Sequence, residues 1–469
     1  MISESKKLAE FRKDILQDSS ARKRLTYLFD EGTFTELDAF TKAGDSLTGV
    51  ITAYGYVEGS PVYAFSQDKN IKSGAVGKAH AAKICKLLEL AAKTGVPVIG
   101  IHDSNGAFID GGIDALSAYG EMLMWTSNLS GVVPQISVIA GTCAGSAAMI
   151  ACSSDIVIMT EDSEFFMTPP FNSKETDGAG SAKNAAKSGT ASIVCEDDKA
   201  AMTEARKLIS MLPMNNLSPI PIFEFNENAL AISPVGIPTA DFFTTLIADS
   251  DSITELSADF GIASYTAFAT VSGSTVGLIA TNKTTDKLTA DDCSKIARFV
   301  RTCDAFAVPI ITIVDTEGFE PSTESELAGS IRDMTKLAHS YAEATTVKIS
   351  VIAGKAYGPA FIAMAGKNAN ADLTFAFPNA VITPLAPETA VEFLWHDKLK
   401  GASNVDNKRK ELADEYSSTI ASAFDAAEKN CINDIIEPSE ARAAIISALD
   451  VMSGKRISKL PKKHSNMPF

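Results

Sequence analysis

The phrase ISVIAG occurs twice in this chain, at Ile136–Gly141 and at Ile349–Gly354. TCAGSA follows the first copy and KAYGPA the second. Both therefore read G-x-x-x-G-x-A, with Gly141 and Gly145 in one and Gly354 and Gly358 in the other. Each phrase is a short β-branched apolar run, the composition of a strand buried on both faces. Small and apolar residues follow, SAAMIAC and PAFIAMAG. A strand ended by a tight glycine turn that opens a helix is predicted at both places.

The repetition extends outward. GVPVIGIHDSNGAF (95–108) matches AVPIITIVDTEGF (307–319), with an aspartate at the strand end at Asp103 and Asp315, 212 residues apart. LTYLFDEGTFTEL (25–37) faces FTTLIADSDSITEL (243–256), and GSPV (59–62) faces GSTV (273–276). Four stretches in one order at a nearly constant offset mark a tandem duplication. The proline- and asparagine-rich link LPMNNLSPIPIFEFNENALAISPVG places the seam near residue 230, giving domains 1–230 and 231–469. In each half a helical period separates two buried strands: IDALSAYGEMLMWTSNL in the first, ELAGSIRDMTKLAHSYAEAT in the second. Strand–helix–strand calls for a right-handed crossover and a parallel sheet, so each half is α/β. The chain is expected to end with a helical segment around LADEYSSTIASAFDAAEK.

The totals exclude several classes. A length of 469 residues exceeds one ordinary core. A net charge of −16 opposes binding to nucleic acid or anionic membrane, though a local basic patch could still hold an anion. Seven scattered cysteines without a C-x-x-C pair speak for reduced thiols in the cytoplasm and against a zinc module. The start MISESKKLAEFRKDIL lacks the apolar core of a signal peptide. The histidines are scattered, and His102, beside Asp103, reads as structural because a lone histidine carries no mechanism. No metal is expected. Glu324, Glu326 and Asp333 read as a solvated helix start. Lys72 and Lys78 flank SGAVG (73–77) and either touch an anionic ligand or sit in solvent.

Two readings of the glycine turns stand. Glycine can let a helix start pack close to a sheet. Alternatively, unpaired N–H groups at the helix start can face a cleft and stabilise negative charge developing on oxygen.

The chain resembles the carboxyltransferase subunits of biotin-dependent acyl-CoA carboxylases and decarboxylases. The likeness runs through RKRLTYLFDEGTFTELD, VYAFSQD, AHAAKICKLLELAAKTGVPVIGIHDSNGA, PQISVIAGTCAGSA, KSGTAS, KIARFVRTCDAFAVPIITIVDTEGF, YAEATTVKISVIAGKAYGPA, INDIIEPSEAR and KRISKLPKKHSNMPF. The resemblance implies two tandem crotonase-like βα domains, the acyl-CoA on the first and biotin on the second. It implies an enolate held by backbone N–H groups: Gly145 and Ser146 for the acyl thioester, Pro359 and Ala360 beside Gly358 for the ureido oxygen of biotin. Further ligand contacts are implied for Gly74, Ala75, Gly106 and Ala107 in the first half, and for Gly318, Phe319 and Tyr357 in the second. Where the family commonly has D-S-G-G-A-R, this chain has Asp103-Ser104-Asn105-Gly106-Ala107-Phe108. Where Gly-Gly is usual, it has Gly145-Ser146 and Gly358-Pro359, and Asn184 replaces a frequent histidine. No M-K-M biotin-acceptor triplet and no ATP-binding region occur, so biotin is expected on a separate carrier protein. Biotin carboxylase or membrane decarboxylase subunits are the expected partners, and a homohexamer the expected assembly. Two alternatives stay open: a subunit working in the decarboxylase direction within a sodium-pumping complex, and a non-catalytic scaffold paralogue.

Overall fold

The computed structural model describes residues 4–15, 18–168, 178–225, 239–367, 370–457 and 460–468. The chain divides into two compact units, Met1–Pro221 and Ile222–Phe469. The seam expected near residue 230 lies outside the described residues, as does most of the stretch before KSG (169–177).

Each unit is built on an eight-stranded mixed sheet with the same plan. In the first, an antiparallel pair, Val50–Val57 with Ser60–Gln67, leads into parallel strands Val98–Ser104, Gln135–Ala144 and Ile156–Thr160. In the second, Ser264–Val271 with Ser274–Thr281 leads into Ile310–Thr316, Lys348–Tyr357 and Leu373–Ala376. The continuous apolar runs become these strands because both sheet faces are covered. Ile99, Ile101, Ile136 and Val138 are at most 1 % exposed, as are Ile311, Ile313, Ile349 and Val351. Each such side chain contributes about 1.5–3 kcal/mol by leaving water. The crossover helices run Ile113–Leu129 and Ser330–Glu343.

Three expectations need correcting. ISVIAG does not end its strand: the strands continue to Ala144 and Tyr357, so only the second glycine of each motif makes the turn. The reason is a short extra strand, Glu164–Phe166 or Val381–Thr383, that pairs with the continuation. Gly141 and Gly354 serve a different purpose. A Cβ there would stand 2.1 Å from Asp103 Oδ1 in the first unit and 2.4 Å from Asp315 Oδ1 in the second. The periodic stretch ELAGSIRDMTKLAHSYAEAT is two helices, Thr323–Leu327 and Ser330–Glu343, broken at Gly329 with φ +90. Nor is the LADEYSSTIASAFDAAEK segment terminal. Its helices, Val405–Ser418 and Ala423–Glu428, are followed by strand Asp434–Ile435 and helix Ala441–Met452.

Candidate functional site

At the end of each long strand one glycine turns the chain into a short helix, Ser146–Cys152 or Pro359–Met364. Gly145 has φ 63 and ψ −131, and Gly358 has φ 52 and ψ −126, a region that L side chains rarely enter. Neither glycine offers its own N–H as an oxyanion donor. Gly145 N–H donates to Phe166 O at 2.9 Å, and Gly358 N–H to Thr383 O at 2.8 Å. The first donor left open is the next residue, at the head of the helix. In the first unit that is Ser146, half-buried. In the second it is Pro359, which has no N–H and whose ring is exposed, while Ala360 behind it is wholly buried. Ala360, expected to face a ligand, therefore has no open approach within its unit.

A second segment converges on each turn. The strands bend by a register shift between His102 and Ser104, and between Val314 and Thr316. Beyond the bend Gly106 approaches Ala144 O, where an added Cβ would be 3.4 Å away, and Gly318 approaches Tyr357 O at 3.8 Å. Side-chain hydroxyls fix both segments alike: Gly106 N–H donates to Ser104 Oγ and Gly318 N–H to Thr316 Oγ1, each at 3.1 Å. A bridge between Val76 and Ala107 holds the first segment, with Val76 N–H donating to Gly106 O and Phe108 N–H to Val76 O. The Ala107 N–H is left without a partner among the described residues. In the second unit Lys287–Leu288 pairs with Gly318–Phe319, so Phe319 stands where Ala107 does. Gly74 packs against this frame, its added Cβ 2.3 Å from Asp103 O, and Ala75 follows it in the wall of an adjacent cleft. The fold thus joins Gly74, Gly106 and Ala107 to Gly145 and Ser146, and Gly318 and Phe319 to Tyr357 and Gly358.

Beneath the first turn lies an ion pair that the spacing did not disclose. Arg24, 5 % exposed, donates from Nη1 to Asp103 Oδ2 at 2.9 Å, from Nε to Asp198 Oδ2 at 2.8 Å and from Nη2 to Ala140 O at 2.5 Å. In the second unit Asp315 instead accepts from Asn282 Nδ2 and the Lys355 N–H, both at 2.8 Å. The Lys355 ammonium bridges Asp286 at 2.8 Å and Glu317 at 2.7 Å beside the second turn.

Among the described residues no titrating side chain is poised for proton transfer at either turn. Burial pushes the Tyr357 hydroxyl up to about 12, so it stays protonated at neutral pH. His102 is a core residue: its Nε2 meets Ser137 Oγ at 3.2 Å and its ring stands edge-on to Phe65. Burial lowers its pKa from 6.5 to about 4, and burial with nearby Lys83 takes His80 to about 3. Between those values and the ordinary one, the unfolded chain binds protons that the folded chain refuses. Stability is therefore full above about pH 6.5 and is lost as pH falls towards 4, with a slope approaching two protons, roughly 2.7 kcal/mol per pH unit. Urea unfolding midpoints measured from neutral to acidic pH check this; a flat profile contradicts it.

Three apolar or mixed clefts border these elements. One of about 540 Å³ in the first unit is walled by Met149, Cys152, Phe166 and Met167, and one of about 610 Å³ in the second by Pro359, Phe361, Ile362 and Tyr416. A third, of about 580 Å³ in the first unit, contains Lys72 and Lys78 with Phe108. Glu324 and Glu326 sit in a helix start as expected, but Asp333 is not solvated. It is 3 % exposed and held by Arg332 and Lys336. Among the described residues no helix is long and apolar enough to cross a membrane.

Glycine turns at matching points of a duplicated sheet, with backbone N–H groups open at Ser146 and Ala107 in the first unit, form an arrangement able to polarise a carbonyl group. Comparison with known proteins agrees. The carboxyl transferase domain matches residues 18–467. Methylmalonyl-CoA decarboxylase subunit alpha of Propionigenium modestum is 39 % identical over 96 % of this chain and 93 % of its own. The propionyl-CoA carboxylase carboxyltransferase subunit of Haloferax mediterranei is 35 % identical, with 96 % and 93 % covered. The crystal structure of a transcarboxylase 12S hexamer with hydrolysed methylmalonyl-coenzyme A bound superposes with a TM-score of 0.92, at 33 % identity over 100 % of this chain and 99 % of that one. The chain belongs to the carboxyl transferase family, and its fold is the duplicated crotonase-like α/β plan.

Proposed function

We propose that this chain is the carboxyltransferase component of a biotin-dependent complex, moving a carboxyl group between carboxybiotin and the α-carbon of a short-chain acyl-CoA of the acetyl or propionyl type. The observation that carries this reading is the doubled glycine turn, one per repeat and each shaped by a positive-φ glycine, with an open N–H following it in the first repeat and proline in the second. In the first domain, 1–230, the Ser146 and Ala107 N–H groups receive the thioester oxygen as enolate charge develops, while Gly145, Gly106 and Gly74 shape their supports. Such donors act without changing protonation, which matches the absence of a poised acid or base among the residues at the turns.

In the second domain, 231–469, a neutral ureido oxygen suits Phe319 N–H and the apolar wall of Pro359, Phe361 and Ile362, with Gly318, Tyr357 and Gly358 holding the turn. Biotin, when bound, supplies the ureido nitrogen that carries the carboxyl group. It is held to arrive on a separate carrier protein, with biotin carboxylase or membrane decarboxylase subunits as further partners, in the cytoplasm. A homohexamer is supported by exposed apolar residues at matching helix starts, Ile109 and Ile113 in one unit, Leu327 and Ile331 in the other. The decarboxylase direction is favoured by one observation, the 39 % identity with a methylmalonyl-CoA decarboxylase subunit alpha.

Purified protein given methylmalonyl-CoA or malonyl-CoA as carboxyl donor and free biotin as acceptor is expected to release the decarboxylated acyl-CoA only when biotin is present. Turnover that ignores biotin would sink the carboxyltransferase reading. Absence of turnover together with absence of acyl-CoA binding would assign a scaffold.

A further inference from the structure

The donor segment of the second unit, Gly318–Phe319, pairs with Lys287–Leu288 in a two-stranded sheet apart from the main one. Two strands alone are marginal in water, so their relative position needs other bonds. Glu317 N–H donates to Asp286 O at 2.8 Å and Glu320 N–H to Leu288 O at 2.9 Å, on either side of Phe319. Thr316, wholly buried, donates from Oγ1 to the same Asp286 O at 2.7 Å. Lys355, on the long strand Lys348–Tyr357, reaches across both segments. Its Nζ lies 2.8 Å from Asp286 Oδ2 and 2.7 Å from Glu317 Oε1, while its backbone N–H donates to Asp315 Oδ1. One ammonium thus ties the strand that carries the glycine turn to both segments that frame the Phe319 N–H.

The same backbone frame occurs in the first unit with neutral residues. There Asn105 N–H donates to Ser73 O at 3.1 Å, and Thr142, which follows Gly141 as Lys355 follows Gly354, turns its Oγ1 to Glu164 Oε2 at 3.4 Å. The frame thus folds without the three charges. Nor do they add much stability: side chains 32–38 % exposed leave the pairs to water, where such pairs contribute little. Burial disfavours the Lys355 ammonium, but its bonds to Asp286 and Glu317 outweigh this and hold its pKa above the ordinary lysine value. The same bond holds Asp286 below the usual carboxylate range. The repeats differ again at the turn, where Ser146 offers an N–H and Pro359 none. With Ala360 wholly buried, the Phe319 N–H is the donor left to the second turn among the described residues, and its position counts for more than that of Ala107.

We infer that Lys355 is a positioning residue for the biotin side of the reaction, holding the Phe319 N–H in place against the Gly358 turn for the ureido oxygen. The inference rests on the reading of the second turn as the biotin site. Removing the ammonium leaves two carboxylates that had shared it. Their repulsion drives Asp286 and Glu317 apart, and with them the backbone bond that sets Phe319. The first turn has no part in this arrangement, so the acyl-CoA side is untouched. Arginine is always charged and can span the same two carboxylates, so it retains the clamp.

Steady-state carboxyl transfer from methylmalonyl-CoA to free biotin, with both substrates varied, tests this in the parent, Lys355→Met, Lys355→Arg and the double variant Lys355→Met with Asp286→Asn. Lys355→Met is expected to raise KM for biotin about tenfold, with KM for methylmalonyl-CoA and the urea unfolding midpoint unmoved. Lys355→Arg should stay near the parent, and adding Asp286→Asn, which removes the repulsion, should return part of the loss. A biotin KM unchanged in Lys355→Met overturns the inference, as does a loss shared equally by both substrates or matched by a lower midpoint. A parent that turns over without biotin, or not at all, overturns the carboxyltransferase reading itself, and the inference with it.

Discussion

Arg24→Met is expected to destabilise the first unit by about 3–5 kcal/mol, the range for removing one partner of a buried ion pair. Arg24 links four places that meet only in the folded state: its own helix Ser20–Leu28, the strand end at Asp103, the strand carbonyl of Ala140 and the helix start at Asp198. Removing it strands Asp103, 4 % exposed, whose other oxygen already lacks a hydrogen bond, with Lys69 Nζ 3.9 Å away. A loss of that size is a large share of a domain's typical 5–15 kcal/mol, so the urea midpoint should fall sharply. Because much of the cost is the uncompensated charge, adding Asp103→Asn to Arg24→Met should recover part of the stability. A single variant as stable as the parent would show the pair to be dispensable.

Ser146→Pro is expected to cut carboxyl transfer by roughly 10²–10³-fold, the scale for one oxyanion donor. Proline is favoured at the first position of a helix, where its missing N–H breaks no helical bond. The second repeat already carries proline at this point, in a turn with nearly the same φ and ψ. The substitution therefore removes one donor and little else. Unchanged unfolding midpoint with lost turnover is the expected pair of results. Retained turnover would move the acyl oxygen away from Ser146.

Much of the fold was legible because the duplication wrote it twice. Buried parallel strands need continuous apolar runs, and these stood out at 98–104, 135–140, 310–316 and 348–353. The crossover helix Ile113–Leu129 matched its period. The three-residue extension past Gly141 was hidden, because it depends on a partner strand, Glu164–Phe166, too short to leave a pattern. Gly141 and Gly354 looked like turn residues. Their use, room for the carboxylates of Asp103 and Asp315, is a contact between strands that spacing cannot carry. The same holds for Arg24, 79 residues from Asp103. At the site, the glycine turns could be found from sequence, but which N–H groups they leave free could not. Only the pairing of Gly145 with Phe166 O and of Gly358 with Thr383 O shifts the donor role to the next residue. That shift makes Pro359 matter.

The central claim is that the glycine turn of each repeat serves one ligand, the acyl-CoA at the first and biotin at the second. It is tested most directly by measuring carboxyl transfer from methylmalonyl-CoA to free biotin for the parent and for Pro359→Gly, with both substrates varied. Glycine restores an N–H at an exposed position beside Gly358. The account predicts a rise in biotin-dependent kcat of on the order of tenfold or more, with KM for the acyl-CoA unmoved. An acyl-CoA KM that shifts while the dependence on biotin stays the same would contradict the assignment of the second turn to biotin.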